Sequence, residues 1–379
     1  MKIIIYSLLV TFTSFNFHAL KSVSSEEKWI LEIDLIIGEK NPNILFSSYI
    51  QNLSVDYNGY IYVADPDQNT IFKFSPDGEF IKQFGRSGNG PGEFTGLSSN
   101  IIISGDTLFT YDYNQFKLTA FNINNGQLIY TSIIERSAIT DSRFSPRKIY
   151  ANLLSNYINV EYNFTFSPSF NRSDYSKKID IYDSQMKLIK SDLLKLQPDE
   201  RYIYDRNGVL FVSQYLPFAR KNIITQGIGN YGNHLCHGWT EQISIECLDM
   251  QLGEILTIVT MDINSETITD HDMKEALSIF PKDHPRVGRS MVRDAIQHNT
   301  WPAFEWFVLD DLGNFWIATT SENRDELKLL ILDYNSNLIA RSTIPANHRI
   351  YTVRSGFVYA VTGKLMDEKN VVRYKLRKN

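Results

Sequence analysis

A unit of short alternating strands and tight turns returns along the chain. Such a repeat restricts the fold more than any other feature, because each unit must bury its faces against a neighbour. The clearest copy starts at the turn Asn58-Gly59, runs as a strand from Tyr60 to Ala64, turns over Asp65 to Asn69 and continues from Ile71 to Phe74. Pro76-Asp77-Gly78 then supplies a tight turn, proline presetting one dihedral and glycine accepting positive φ, before Glu79 to Phe84 returns as another strand. A second copy follows Gly105-Asp106, with strands at Thr107 to Tyr111 and Lys117 to Asn122, the turn Asn125-Gly126, and Gln127 to Ile133.

Four further copies are read with less regular spacing. The third holds Tyr157 to Phe166, Ile179 to Tyr182 and Met186 to Ile189; the fourth opens at Asn207-Gly208 with Val209 to Ser213 and closes with Ile243 to Leu248 and Glu254 to Val259. The fifth runs from Asp311 through Phe315 to Thr319, Leu329 to Asp333 and Leu338 to Ser342, and the sixth has Phe357 to Val361 and Val371 to Leu376. Four-stranded blades of this kind stack around a closed ring, so the reading is an all-β, six-bladed β-propeller. The last unit is short of strands, and the alternating stretch from Trp29 to Ile37 is expected to pair with it and seal the ring. One segment, about 267–299, departs from the β pattern. Thr269 and Asp272 form a helix cap ahead of Met273, Ala276, Leu277 and Phe280, and Val287, Met291, Ala295 and Ile296 line a second helix. This pair is a helical insertion between blades four and five, its apolar stripe expected to pack on a propeller face.

Composition narrows the setting. With 13% aromatics, 43% hydrophobic residues and a formal charge of -5, the chain is neither disordered nor furnished with the basic footprint of a nucleic-acid partner. Lys2 followed by the apolar stretch Ile3 to Phe17 reads as a signal peptide over 1–22, too short and too polar for a membrane span. The mature propeller, 23–379, is then periplasmic or extracellular, with no stable membrane span after cleavage. Cys236 and Cys247 are the only cysteines, and they are read either as a disulfide or as two buried thiols. The sequons at Asn52, Asn163 and Asn171 are read as chance occurrences.

Val63-Ala64-Asp65-Pro66-Asp67-Gln68-Asn69-Thr70-Ile71 followed by Ser75-Pro76-Asp77-Gly78 resembles the NHL repeat. Gly85 to Phe94, Trp301-Pro302-Ala303-Phe304 and Asp311 to Trp316 are similar to segments of NHL-like six-bladed propellers of bacterial exported proteins. The resemblance implies architecture rather than chemistry. It implies a scaffold binding a protein, peptide or glycan at the cell envelope, with no cofactor and no evident catalysis. The alternative it implies is a metal-dependent hydrolase or lyase with a divalent ion in the central channel.

Individual motifs favour structural roles. Gly88-Asn89-Gly90-Pro91-Gly92 lacks the Lys-Ser/Thr of a phosphate cradle and reads as a linker, and Asp65 and Asp67 read as turn formers before metal ligands. His234 and His237, near Cys236 and Trp239, form the densest histidine cluster, with spacing irregular for zinc. Function on a rigid ring is expected on its loops, where Arg86, Arg143, Trp239, His298 and Trp301 are the candidate ligand-binding residues.

Overall fold

Carboxylate-braced turns set the strand rhythm. Asp56 Oδ1 accepts the backbone N–H of Asn58 at 2.9 Å and of Tyr60 at 3.0 Å, and Asp310 Oδ1 does the same for Leu312 at 2.9 Å and Asn314 at 2.8 Å. Each turn is thereby held between its paired strands, and the glycine of each, Gly59 and Gly313, takes positive φ. Asp183, Asp249 and Asp333 brace outer turns of their blades in the same way.

The computed structural model describes residues 27–38, 46–47, 50, 52–135, 139, 144–152, 157–164, 177–206, 209–284, 287–363 and 369–378. The leading strand is β1 (Glu27–Ile37). Blade one is β2 (Asn52–Val55), β3 (Ile61–Asp65), β4 (Thr70–Phe74) and β5 (Phe80–Phe84). Blade two is β6 (Leu97–Ser104), β7 (Thr107–Asp112), β8 (Lys117–Asn122) and β9 (Leu128–Ile133). Blade three is β10 (Phe144–Asn152), β11 (Tyr157–Phe164), β12 (Lys177–Asp183) and β13 (Leu188–Leu196). A separate hairpin follows, β14 (Arg201–Arg206) with β15 (Val209–Tyr215). Blade four is β16 (Asn222–Gln226), β17 (His234–Trp239), β18 (Ile243–Asp249) and β19 (Ile255–Met261). Helices α1 (Asp270–Ser278) and α2 (Arg289–Ala295) lead to blade five, which is β20 (Trp306–Leu309), β21 (Phe315–Thr320), β22 (Glu326–Leu332) and β23 (Leu338–Pro345). Blade six is β24 (His348–Arg354), β25 (Phe357–Thr362) and β26 (Val371–Lys378), completed by β1.

The ring closes as the alternation from Trp29 to Ile37 implied. β1 lies antiparallel to β26, with Trp29 opposite Lys378, Leu31 opposite Leu376 and Ile37 opposite Val371. Glu27 and Lys28 also pair in parallel with Ala340 and Arg341 of β23, which joins blades five and six into one continuous sheet. Between blades the core is apolar: Trp29, Trp316, Leu329 and Tyr374 fill the seam of blades five and six, and Tyr62, Phe84, Phe94 and Phe121 that of blades one and two. Among the described residues the seam of blades three and four has the smallest core, with Tyr150, Ile179, Leu235 and Met250 as its buried members. Polar bonds supplement it, Asn159 Nδ2 donating to Met250 O at 2.8 Å and the Tyr150 hydroxyl to Glu161 at 2.6 Å.

Three local expectations change. Val209 to Ser213 does not open blade four; it lies in β15, paired with β14, and Asn222–Gln226 is the true first strand. Alternation identifies a strand, whereas its partner depends on which neighbour the preceding turn presents. The Thr269–Asp272 capping box forms as read, but the helices pack Leu277, Phe280 and Val292 on Tyr202 and Leu216 of the hairpin segment rather than on a propeller face. On α2 the buried residue is Val292, which packs with Leu277, Phe280 and Tyr202, and Met291 is exposed. The two cysteines are directly opposed on β17 and β18 and form a disulfide in the core of blade four. Closing that short loop contributes about 3 kcal/mol by restricting the unfolded chain.

Candidate functional site

Each first strand, β2, β6, β10, β16, β20 and β24, ends its sheet, so one edge of each lacks a strand partner. These six edges surround a cavity of about 970 Å³, the central channel, to which every blade contributes. That volume lies within the range of small-ligand pockets. Side chains knit some of the free edges across blades. Asn100 Oδ1 accepts Ile149 N at 3.3 Å, Gln226 receives Ala151 N at 3.2 Å and donates to Ala151 O at 2.8 Å, and Arg354 donates to Val55 O at 2.7 Å.

The channel wall carries Lys148 of β10 and Arg349 and Arg354 of β24, with His348 beside them. Lys148 and Arg349 are exposed, and the Arg349 guanidinium stacks 5.5 Å from the Tyr351 ring. His348 Nδ1 is hydrogen-bonded to the Tyr374 hydroxyl, and burial holds its imidazole below the usual value. Two smaller cavities lie outside the channel. One, of about 360 Å³, lies between the hairpin and α2 and is lined by Glu200, Tyr202 and His298; the other, of about 250 Å³, lies beside blades four and five near Glu266 and Lys328.

Four of the five loop candidates fall within the described residues; Arg143 lies outside them. Arg86 pairs with Glu93 at 2.7 Å, and Glu93 also accepts Gly90 N at 2.9 Å, so the pair closes the glycine-rich linker on itself. Lys117 completes this linker by donating to the carbonyls of Gly90 at 3.1 Å and Glu93 at 2.6 Å. Trp239 ends β17 opposite Asn222 and is half-buried. His298 Nε2 sits 2.9 Å from both carboxylate oxygens of Glu200, which also accepts Arg220 N at 2.7 Å. The Trp301 indole N–H donates to Asp272 at 3.4 Å, its ring meets Phe218 edge-on at 4.8 Å, and the Arg324 guanidinium lies 5.3 Å from it. Arg324 in turn makes a bidentate pair with Asp272 at 3.0 Å to each oxygen, which holds that carboxyl well below the usual range.

Strand direction relates these positions. Links between blades and turns from second to third strands emerge at one end of a propeller, and Arg86, Trp239, His298 and Trp301 all belong to such connections. The residues therefore share one end of the ring, His298 and Trp301 in the link between blades four and five and Arg86 in the link between blades one and two. Sequence reasoning passed over Lys148, Arg349 and Arg354, because the strands that carry them, β10 and β24, were not read as strands.

The histidine cluster and acidic turn are braced within the fold. His234 Nε2 lies 3.0 Å from the Tyr334 hydroxyl, and His237 faces Glu246 across the β17–β18 pair at 3.4 Å. Asp65 accepts Ser47 N at 2.8 Å and Gln68 N at 3.2 Å, and Asp112 repeats its role in blade two by accepting Thr95 N at 2.6 Å and Asn114 N at 2.8 Å. Among the described residues no group of three His, Cys, Asp or Glu side chains is placed to hold a metal ion.

The histidines give a pH dependence. Burial lowers the affinity of His234, His237 and His348 for a proton. Their unfolded counterparts bind protons below about pH 6.5, so the unfolded state gains protons first as pH falls. Their contribution to stability is complete above that value and declines as pH drops toward the folded values. The urea midpoint is expected to change little from pH 8 to 7 and to fall from pH 7 to 5; an unchanged midpoint at pH 5 would contradict the burial.

Six four-stranded blades around one channel, with the first strand sealing the last blade, define a closed β-propeller. Residues 28–217 match the family DUF5128, described as 6-bladed beta-propeller, and the chain belongs to that family. Two solved structures share the fold. A Bacteroides fragilis protein, named only as a candidate for export, aligns over 92% of this chain and 95% of its own at 13% identity and a TM-score of 0.53. A DUF4221 member from Bacteroides vulgatus aligns over 93% and 99% at 11% identity and a TM-score of 0.54. No curated protein matches the chain in sequence. Among the described residues no helix is long and apolar enough to cross a membrane.

Proposed function

We propose that this protein is an exported, NHL-like propeller that binds a protein, peptide or glycan of the cell envelope, taking part of that ligand into the central channel. The observation that carries the reading is the cavity of about 970 Å³ bounded by the first strands of all six blades. A rigid ring of this kind presents a concave, preformed surface, and ordering costs on binding are small when the walls are already fixed. Export is supported by the charged and apolar N-terminal pattern and by the name of the Bacteroides fragilis structural neighbour. The loop residues Arg86, Trp239, His298 and Trp301 would form the rim that the bulk of a larger ligand meets, and Arg143, outside the described residues, remains a candidate contact.

The test fills the channel. Thr225 lines it from β16 and is partly exposed, so Thr225→Trp narrows the cavity without entering a blade core. Wild type and variant are compared on a panel of envelope glycans and peptides, with circular dichroism confirming that the fold is kept. The expected result is saturable binding of at least one panel member by wild type and loss of that binding in the variant. Binding that persists with the channel filled would move the site elsewhere.

A further inference from the structure

The chain carries a formal charge of -5, yet no Asp or Glu occurs among the described residues that line the channel, whereas Lys148, Arg349, Arg354 and Lys369 do. Elsewhere the fold matches basic side chains to carboxylates, as in Lys177 with Asp199, Lys178 with Asp180, Arg220 with Glu241 and Arg373 with Asp34. Among the described residues Lys148, Arg349 and Arg354 have no such pairing, and Lys369 donates to the Gly363 carbonyl. Arg349 is stacked on Tyr351, and Arg354 is held by the Val55 carbonyl, contacts that fix the guanidinium groups while leaving their charge uncompensated. The ring thus gathers like charges inside one cavity. Low-dielectric walls focus such a field, and an excess of one sign in a cleft concentrates ligands of the other.

We infer that the channel is an anion site, and that the ligand carries a carboxylate, sulfate or phosphate group held by Lys148 and Arg349. This rests on the channel being the binding site. The cations come from blades on different parts of the ring, Lys148 from blade three and both arginines from blade six, so an oxyanion between them is approached from more than one side. Arg349 stands near the start of β24 and Arg354 at its end, roughly 16 Å apart along an extended strand. A ligand with anionic groups at both ends would engage both arginines. Guanidinium groups suit this task, since their planar fork matches the oxygen pairs of carboxylate and phosphate.

The test measures binding of citrate, inositol hexakisphosphate and sucrose octasulfate, with uncharged myo-inositol as the reference, by calorimetry at low salt. At least one anion is expected to bind saturably and myo-inositol not at all, and the preferred anion tells carboxylate, phosphate and sulfate ligands apart. Arg349→Ala and Lys148→Ala should each weaken that binding by about tenfold, the loss expected for a charge-assisted hydrogen bond. Arg349→Lys should recover part of it, and Lys187→Ala, at an exposed outer turn of blade three, should leave it unchanged. Anion binding that is absent, or equal in wild type and both channel variants, overturns the anion site. If a neutral panel member still binds and is lost in Thr225→Trp, the channel reading stands without it; if filling the channel affects no ligand, the channel reading itself has failed.

Discussion

Trp29→Ala is expected to lower the stability by about 4 kcal/mol, read as a shift of the urea midpoint at unchanged slope. Trp29 is only 4% exposed, and its ring centroid lies 5.5 Å from that of Trp316 in the seam of blades five and six. Its indole N–H donates to Glu27 at 2.8 Å, and the Lys378 ammonium sits 4.5 Å from the ring. Truncation removes a large buried side chain from the strand that joins the two ends of the chain. It therefore leaves a cavity and weakens closure together. A loss below about 1 kcal/mol, the range of an exposed substitution, would show that β1 is not packed into the ring.

The second large effect belongs to Asp310. Its carboxylate is 3% exposed and accepts four bonds, from the backbone of Leu312 and Asn314, from Asn314 Nδ2 at 3.0 Å and from the Trp316 indole N–H at 3.0 Å. Trp316 is fully buried, so Asp310→Ala would leave its N–H without an acceptor and release the turn. A loss of about 3 kcal/mol is expected, since a buried donor stripped of a charged acceptor forfeits its desolvation as well as its bond. Asp310→Asn keeps an acceptor oxygen and should lose less. Equal effects of the two substitutions would contradict this role. Asp56 carries the same arrangement in blade one, its Oδ2 accepting the Tyr62 hydroxyl at 3.0 Å, which links two distant copies of the repeat by one device.

That device explains what could be read from the residues alone. The turns at Asn58-Gly59 and Gly105-Asp106 precede β3 and β7 as their composition implied, and β1 was identified by its alternation and its position in the chain. The first strands themselves escaped the reading. Asn52–Val55 and Trp306–Leu309 are short, and Leu97–Ser104 has no clean alternation, because a strand with one edge on a channel and blades on both sides has no single polar face. The channel is built from these strands, so its cations were hidden with them. The loop candidates were chosen by residue type, and a sequence does not reveal that Trp301 will meet Asp272 and Arg324 or that His298 will meet Glu200. Such meetings depend on the hairpin and helices folding against each other, which pairs segments nearly a hundred residues apart.

Closure of the ring carries both the fold and the channel, and a cross-link tests it most directly. Leu31 and Leu376 are directly opposed on β1 and β26, at the spacing that antiparallel neighbours share with disulfides. The doubly substituted protein, Leu31→Cys with Leu376→Cys, is oxidised and its peptides are mapped by mass spectrometry. A bond between positions 31 and 376 within a single chain is the predicted result. Free thiols at both positions in a folded monomer, or bonds only between chains, would mean that the ends do not meet and that the ring is open.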